Sequence, residues 1–136
     1  MKPIVIVSRG VRPLRNGLRS AKDYPYWEEL ISLLSANFEV VEVVEEPLDK
    51  LEKMLKEAKY TVCCDSFLQH FCWSIGVQAI VLWGVGDPLI FGHAENINLI
   101  KDRANIRPNQ FDMWEGHPYR EDVFVSPEEV MKYIKP

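Results

Sequence analysis

Short runs of strand-forming residues separated by amphipathic segments constrain this chain more than any other feature. The runs are PIVIVS (residues 3–8), FEVVEVV (38–44), YTVCC (60–64) and AIVLW (79–83). The first is a continuous β-branched run, the pattern of a strand buried on both faces, and such strands belong to parallel sheets covered by helices. Between the runs lie segments with helical spacing. Residues 26–36 place Trp27, Leu30, Ile31, Leu33 and Leu34 together, and Asn37 is positioned to end that helix. Residues 48–59 gather Leu48, Leu51, Met54, Leu55 and Ala58 on one face. Residues 66–75 read as a third helix closed by Gly76, and 97–100 as a fifth, shorter strand. Near the end, Ser126-Pro127-Glu128-Glu129 predicts a capping box, with Glu129 reaching back, and a helix to about Ile134. Strand and helix alternate, so the expected fold is α/β: one Rossmann-like, three-layer α/β/α domain over residues 1–136, with a mainly parallel sheet of four to six strands.

Size and charge narrow the function classes. A chain of 136 residues builds one sizeable core. Sixteen Lys and Arg against twenty Asp and Glu give a net charge of −4, which argues against a general nucleic-acid binder. No apolar run approaches the roughly 18–20 residues that span a bilayer, and MKPIVIVSRG turns polar too early for a signal peptide. Cys63, Cys64 and Cys72 are odd in number and clustered, which is no disulfide framework. They read as buried thiols in a reducing cytoplasm.

Ligands of open parallel sheets bind outside the carboxyl ends of the strands. The segments leaving those ends are 9–24, 45–47, 65–70 and 84–95. The first carries Arg9, Arg12, Arg15, Arg19 and Lys22, with Gly10 beside Arg9: five of sixteen cations in one loop of an acidic protein. An anion such as phosphate or pyrophosphate suits it; a solvated charged loop is the other reading. In the third, Asp65 can cap the next helix, and Ser66 and His70 are four apart on one helical face beside Phe67 and free backbone N–H groups. The alternative is a helix cap with a hydrogen-bonded histidine. The fourth holds Gly84-Val85-Gly86-Asp87-Pro88 and then Gly92-His93, where glycines permit close approach to a ligand or merely shape a turn. It lacks the dinucleotide fingerprint, and no G-x-S-x-G elbow is present. The spacing of Asp65, His70, Asp87 and His93 does not demand a metal, and no metal is expected. Trp27, Trp73 and Trp83 read as core. Residues 101–122 are the least legible, with exposed-looking Phe111, Trp114 and Tyr119 and a His117 that carries no reading.

The stretch CCDSFLQHFCWSIGVQAIVLWGVGDPLIFGH resembles the donor-binding half of the heptosyltransferase-like glycosyltransferases, glycosyltransferase family 9. Asp65, Ser66 and His70 match its D-[ST]-G-x-x-H element, and Gly76, Leu82, Gly84 and Pro88 match later landmarks. KDYPYW resembles its K-x-W-P element, and FVSPEEVMKYI its closing segment. The resemblance implies one half of a GT-B architecture that binds a nucleotide-diphosphate sugar as substrate for inverting transfer, with no metal or other cofactor. Lys22 would contact donor phosphate and Asp65 the sugar or nucleotide. The amides at Ser66 and Phe67, with His70, would hold the pyrophosphate. Phe67 stands where the family has glycine and Gln78 where it has proline. The middle is a strand–helix unit short, leaving Glu45 and Glu46 as candidates for an acidic residue used there. The family's acceptor half and its catalytic base have no counterpart in these residues. The expectation is a donor-binding domain completed by a separate acceptor-domain protein or by self-association. The alternative is a nucleotide- or anion-binding or regulatory module without transferase activity.

Overall fold

The computed structural model describes residues 1–136. Five strands form the sheet: β1 (Ile4–Ser8), β2 (Glu39–Glu42), β3 (Tyr60–Cys64), β4 (Ile80–Trp83) and β5 (Ile97–Ile100). The helices are α1 (Trp27–Leu34), α2 (Leu48–Glu57), α3 (Phe67–Ser74), α4 (Pro88–Phe91) and α5 (Pro127–Met131). The strand order is β2-β1-β3-β4-β5 and every pairing is parallel. Ile6 sits opposite Val41 on one side and Thr61 on the other, so β1 lies inside the sheet.

The layers follow from connection handedness. The chain leaves β1 for β2 on one side, then crosses back over β1 to β3. Right-handed crossovers in opposite directions put the first two helices on opposite faces. The cores show it: Trp27, Leu30 and Leu34 of α1 pack with Val5, Val7, Val62 and Leu82, whereas Leu51 and Leu55 of α2 and Leu68 and Cys72 of α3 pack with Ile6, Cys63, Val81 and Trp83. Each central strand therefore feeds both cores with alternate residues, which is why its sequence is apolar without alternation. The fold is an α/β, three-layer, Rossmann-like arrangement. No helix is long and apolar enough to cross a membrane.

Local signals account for several boundaries. Gly76 closes α3 at φ +76°. The N–H of Val77 reaches the Cys72 carbonyl at 2.9 Å and that of Gly76 the Trp73 carbonyl at 3.2 Å, the paired bonds of a Schellman turn. Ser126 caps α5 by accepting from the Glu129 N–H. Glu129 does not reach back as expected, because its carboxylate is taken by Lys132 at 2.7 Å. α5 ends at Met131, short of Ile134, and continues only as isolated turns. β2 is shorter than the apolar run around it and ends in charge at Glu39 and Glu42, as an edge strand does. A helical turn, α4, stands where residues 84–95 read as loop: Asp87 caps it and Pro88 opens it.

The segment after β5 returns across the α1 face. Val123 and Phe124 enter the core, and the Tyr24 hydroxyl donates to the Val125 carbonyl at 2.9 Å. Arg107 and Gln110, both buried, organise the turn before it. The Arg107 guanidinium donates to the carbonyls of Gln110 and Asp112, each at 2.8 Å. The Gln110 amide donates to the Val85 carbonyl, and its oxygen accepts from the Asp87 N–H. Trp83 is core as expected, but Trp73 is 50% exposed on the outer face of α3. Cys63, Cys64 and Cys72 are buried, and burial pushes Cys64 up to about 12 and Cys72 to about 11.

Candidate functional site

With this strand order the winding of the chain reverses between β1 and β3, and the crevice at their carboxyl ends is where such folds bind ligands. A cleft of about 490 Å³ opens there. Its walls are Gly10, Arg12 and Arg15 from the loop after β1, Ser20 and Lys22 before α1, Asp65, Ser66 and Phe67 after β3, and Trp114 and Glu115 from the distant 101–122 segment.

Asp65 and Lys22 are the most ordered charges in it. The buried Gln69 amide donates to Asp65 Oδ1 at 2.6 Å, while Oδ2 lies 3.4 Å from Lys22 Nζ. The same Nζ sits 5.0 Å from the centre of the Trp114 ring, and Arg107 lies 3.4 Å from that centre. Lys22 is thus held between a carboxylate and an indole, with 30% of its side chain open to solvent. The Ser20 hydroxyl accepts from the Lys22 N–H at 3.2 Å, shaping the turn that presents the lysine. Arg12 and Arg15 line the cleft, are exposed and make no ion pair.

The floor is the start of α3. Asp65 does not cap it, contrary to expectation, because its carboxylate is used by Gln69 and Lys22. Ser66 occupies the N-cap position, but its hydroxyl donates back to the Cys64 carbonyl at 3.4 Å. No side chain caps this helix, so its first-turn N–H groups remain donors at the positive end of the helix dipole. Phe67 is 60% exposed and stacks on Phe71 at 5.6 Å, which holds its ring along the outside of α3. It borders this cleft and a neighbouring hollow of about 280 Å³ that reaches Val43, Glu45 and Glu46.

Of the candidates named in the sequence, Gly10, Arg12, Arg15, Lys22, Asp65, Ser66 and Phe67 come together, whereas Arg9, His70, Gly84 and Asp87 do not. Arg9 turns away: it pairs with Glu42 and Glu28, tying β1 to β2 and α1. The hydrogen bonds to those carboxylates hold its guanidinium above the ordinary arginine range, and Arg9 in turn holds Glu42 low. His70 bonds His93, with Nδ1 and Nε2 2.8 Å apart, outside the cleft. Gly84 faces Phe124, since a Cβ there would lie 2.6 Å from the ring's Cζ. Asp87 is a structural cap, accepting from the Leu89 N–H and bridged by Arg103 at 3.2 Å. Sequence reasoning missed Ser20, Trp114 and Glu115. The latter two are brought in by the Arg107–Gln110 turn, which leaves no periodic trace in the sequence.

Asp87 makes a pH prediction. The hydrogen bonds from Arg103, chiefly, and from the Leu89 N–H hold its carboxyl below the usual range. A lowered folded value means the contribution to stability is complete above about pH 4 and is lost as pH falls through the folded value. Asp87→Asn is therefore expected to flatten the acid limb of the melting temperature below about pH 4. Parallel acid limbs in wild type and variant would contradict this.

No family model matches the sequence, and no curated protein matches it. Solved structures match in fold. The dodecameric iron-containing heptosyltransferase TibC, in complex with ADP-D-β-D-heptose, superposes with a TM-score of 0.65 and 13% identity, over 88% of this chain and 37% of that one. The E. coli heptosyltransferase WaaC with ADP gives 0.63 and 17%, over 98% of this chain and 43% of that one. The chain spans less than half the length of either. At this identity the likeness is one of fold, and the fold is glycosyltransferase-like.

Proposed function

We propose that the cleft binds the diphosphate of a nucleoside diphosphate or nucleotide-diphosphate sugar, and that the chain serves as the donor-binding part of a glycosyltransferase. The observation that carries this is the convergence, at the sheet's reversal point, of an uncapped helix N-terminus with Lys22, Arg12 and Arg15. Backbone N–H donors, the helix dipole and cationic side chains are the ordinary equipment of a phosphate site. Asp65, fixed by Gln69, supplies an acceptor for sugar hydroxyls at the same place. Both fold relatives are described with ADP or an ADP-sugar. The reading needs no cofactor beyond the nucleotide sugar.

Transfer also needs a second wall that holds an acceptor and a base against the donor. The matched relatives are more than twice the length this chain covers; the proposal places that wall outside these 136 residues, with a separate acceptor-domain protein or self-association among its sources. The buried thiols fit a reducing cytoplasm. Phe67, at the first helical position beneath the cleft, favours a second reading, a nucleotide-binding module without transfer.

Thermal unfolding against ADP, UDP, GDP and CDP, free and as sugar conjugates, tests binding. A ligand at one hundred times its Kd stabilises by about 2.7 kcal/mol. At this chain length that raises the melting temperature by roughly 8 °C. No shift with any nucleoside diphosphate at millimolar concentration overturns the proposal.

A further inference from the structure

His70 and His93 are released from any part in the cleft, and the arrangement they adopt instead has chemistry of its own. His70 lies on the outer face of α3, exposed, and His93 lies in the turn between α4 and β5. Their Nδ1 and Nε2 atoms stand 2.8 Å apart, with rings at 84°. His93 is fixed from three sides. Its ring stacks on Trp73 at 4.5 Å, 8° from parallel. Its carbonyl accepts from the Asn98 amide at 2.9 Å and from the Asn96 N–H at 3.1 Å. Its neighbour Gly92 passes so close to Pro88 and Trp83 that a Cβ there would lie 2.7 Å from the Pro88 carbonyl oxygen. One imidazole is thus anchored, and the other stands on a solvent-facing helical position free to turn toward it.

We infer that His70 and His93 form a two-histidine site for a divalent transition-metal ion, with copper(II) and nickel(II) favoured over zinc. Metal–nitrogen bonds of about 2.0–2.1 Å put neighbouring ligand atoms roughly 2.9 Å apart in a square or tetragonal field and roughly 3.3 Å apart in a tetrahedral one. The two nitrogens stand 2.8 Å apart in their hydrogen bond, so they can reach the first spacing without movement of the backbone. Entry of the ion replaces the N–H···N bond, and the donor imidazole changes tautomer through solvent: its proton moves to the other ring nitrogen, so both facing nitrogens present lone pairs and both rings stay neutral. Rotation of the exposed His70 side chain then brings its nitrogen to the ion held at His93. No third His, Cys, Asp or Glu joins the pair, so water fills the remaining positions and binding is weak and exchangeable. The buried thiols do not compete.

Trp73 provides the readout, because paramagnetic copper(II) or nickel(II) bound to His93 lies against its stacked indole. Titration of the 136-residue protein with CuCl2 or NiCl2 is expected to quench tryptophan emission saturably at one ion per chain. Calorimetry is expected to rank copper above nickel above zinc. His70→Ala and His93→Ala should each weaken binding at least tenfold, since losing one arm removes the chelate's effective concentration. Trp73→Phe should retain calorimetric binding and lose most of the quench. His117→Ala is the control and should bind as wild type does. Unfolding curves establish that the variants are folded, and the quenching amplitude of Trp73→Phe gives a second, fold-preserving reading. Equal affinities for wild type, His70→Ala and His93→Ala, or quenching unchanged by Trp73→Phe, would overturn the assignment.

Discussion

Phe124→Ala is expected to cost about 3–5 kcal/mol of folding stability, and Gly84→Ala about 1–3 kcal/mol. Both figures come from one contact. Phe124 is 1% exposed and meets Tyr24 edge-on at 5.7 Å. Its ring lies directly over the Gly84 backbone, where a Cβ would stand 2.6, 3.0 and 3.1 Å from three ring carbons. Gly84 follows β4 at the point where the chain passes beneath this ring, so neither partner has room to yield. Deleting the ring leaves a cavity within the core that holds α1 and α5 to the sheet. Adding a methyl at Gly84 instead forces the ring off its rotamer. The two changes are coupled, and Gly84→Ala combined with Phe124→Leu should cost less than the sum of the single variants. Urea unfolding monitored by circular dichroism measures all four species. A neutral Gly84→Ala, or strict additivity in the double variant, would refute this account. Gly84→Ala should also leave nucleoside diphosphate affinity unchanged once the protein is folded, because Gly84 borders the core and not the cleft.

That contact shows where sequence reasoning stopped. The parallel sheet was legible because β1, β3 and β4 are buried on both faces, which demands apolar residues at every position. The cationic cleft was legible because its residues follow strand ends in the chain, and the end of a parallel strand is a place defined by local order. Gly10, Arg12, Lys22, Asp65, Ser66 and Phe67 all meet that condition. Gly84 and Asp87 meet it too, yet their partners Phe124 and Arg103 arrive from far along the chain and turn them to packing and capping. Arg9 was indistinguishable from Arg12 by sequence. Only the register of β1 with β2, which sets Val7 opposite Glu42, shows that a carboxylate waits beside it. Trp114 was illegible for the same reason in reverse. Its place in the cleft depends on the buried Arg107 and Gln110, whose partners are mostly backbone carbonyls. Carbonyls carry no residue identity.

Lys22→Met is expected to weaken ADP binding by about 10- to 100-fold. The ammonium is the one cation in the cleft held in place, between Asp65 and Trp114, and a charge-assisted hydrogen bond to phosphate contributes about 1.5–3 kcal/mol. Methionine keeps the apolar stem against the indole, so lost affinity reports lost charge and not lost packing. Arg12→Ala and Arg15→Ala should each cost only a few-fold, and that effect should fade with added salt, since both side chains are exposed. Lys22→Glu goes further. It sets a second carboxylate beside Asp65, whose side chain is 9% exposed, and like charges so placed repel strongly; binding should vanish and stability fall. Asp65→Asn separates the two parts of the ligand. It releases Lys22 from its partner, so inorganic pyrophosphate should bind more tightly. An acceptor for hydroxyl groups is weakened at the same time, so a nucleotide sugar should gain less or lose affinity. Calorimetric titration of each variant with pyrophosphate, ADP and an ADP-sugar reads these differences directly. If Lys22→Met binds ADP as wild type does, the diphosphate does not rest on this lysine. If Asp65→Asn changes all three ligands by the same factor, Asp65 acts through Lys22 alone and makes no contact with the sugar.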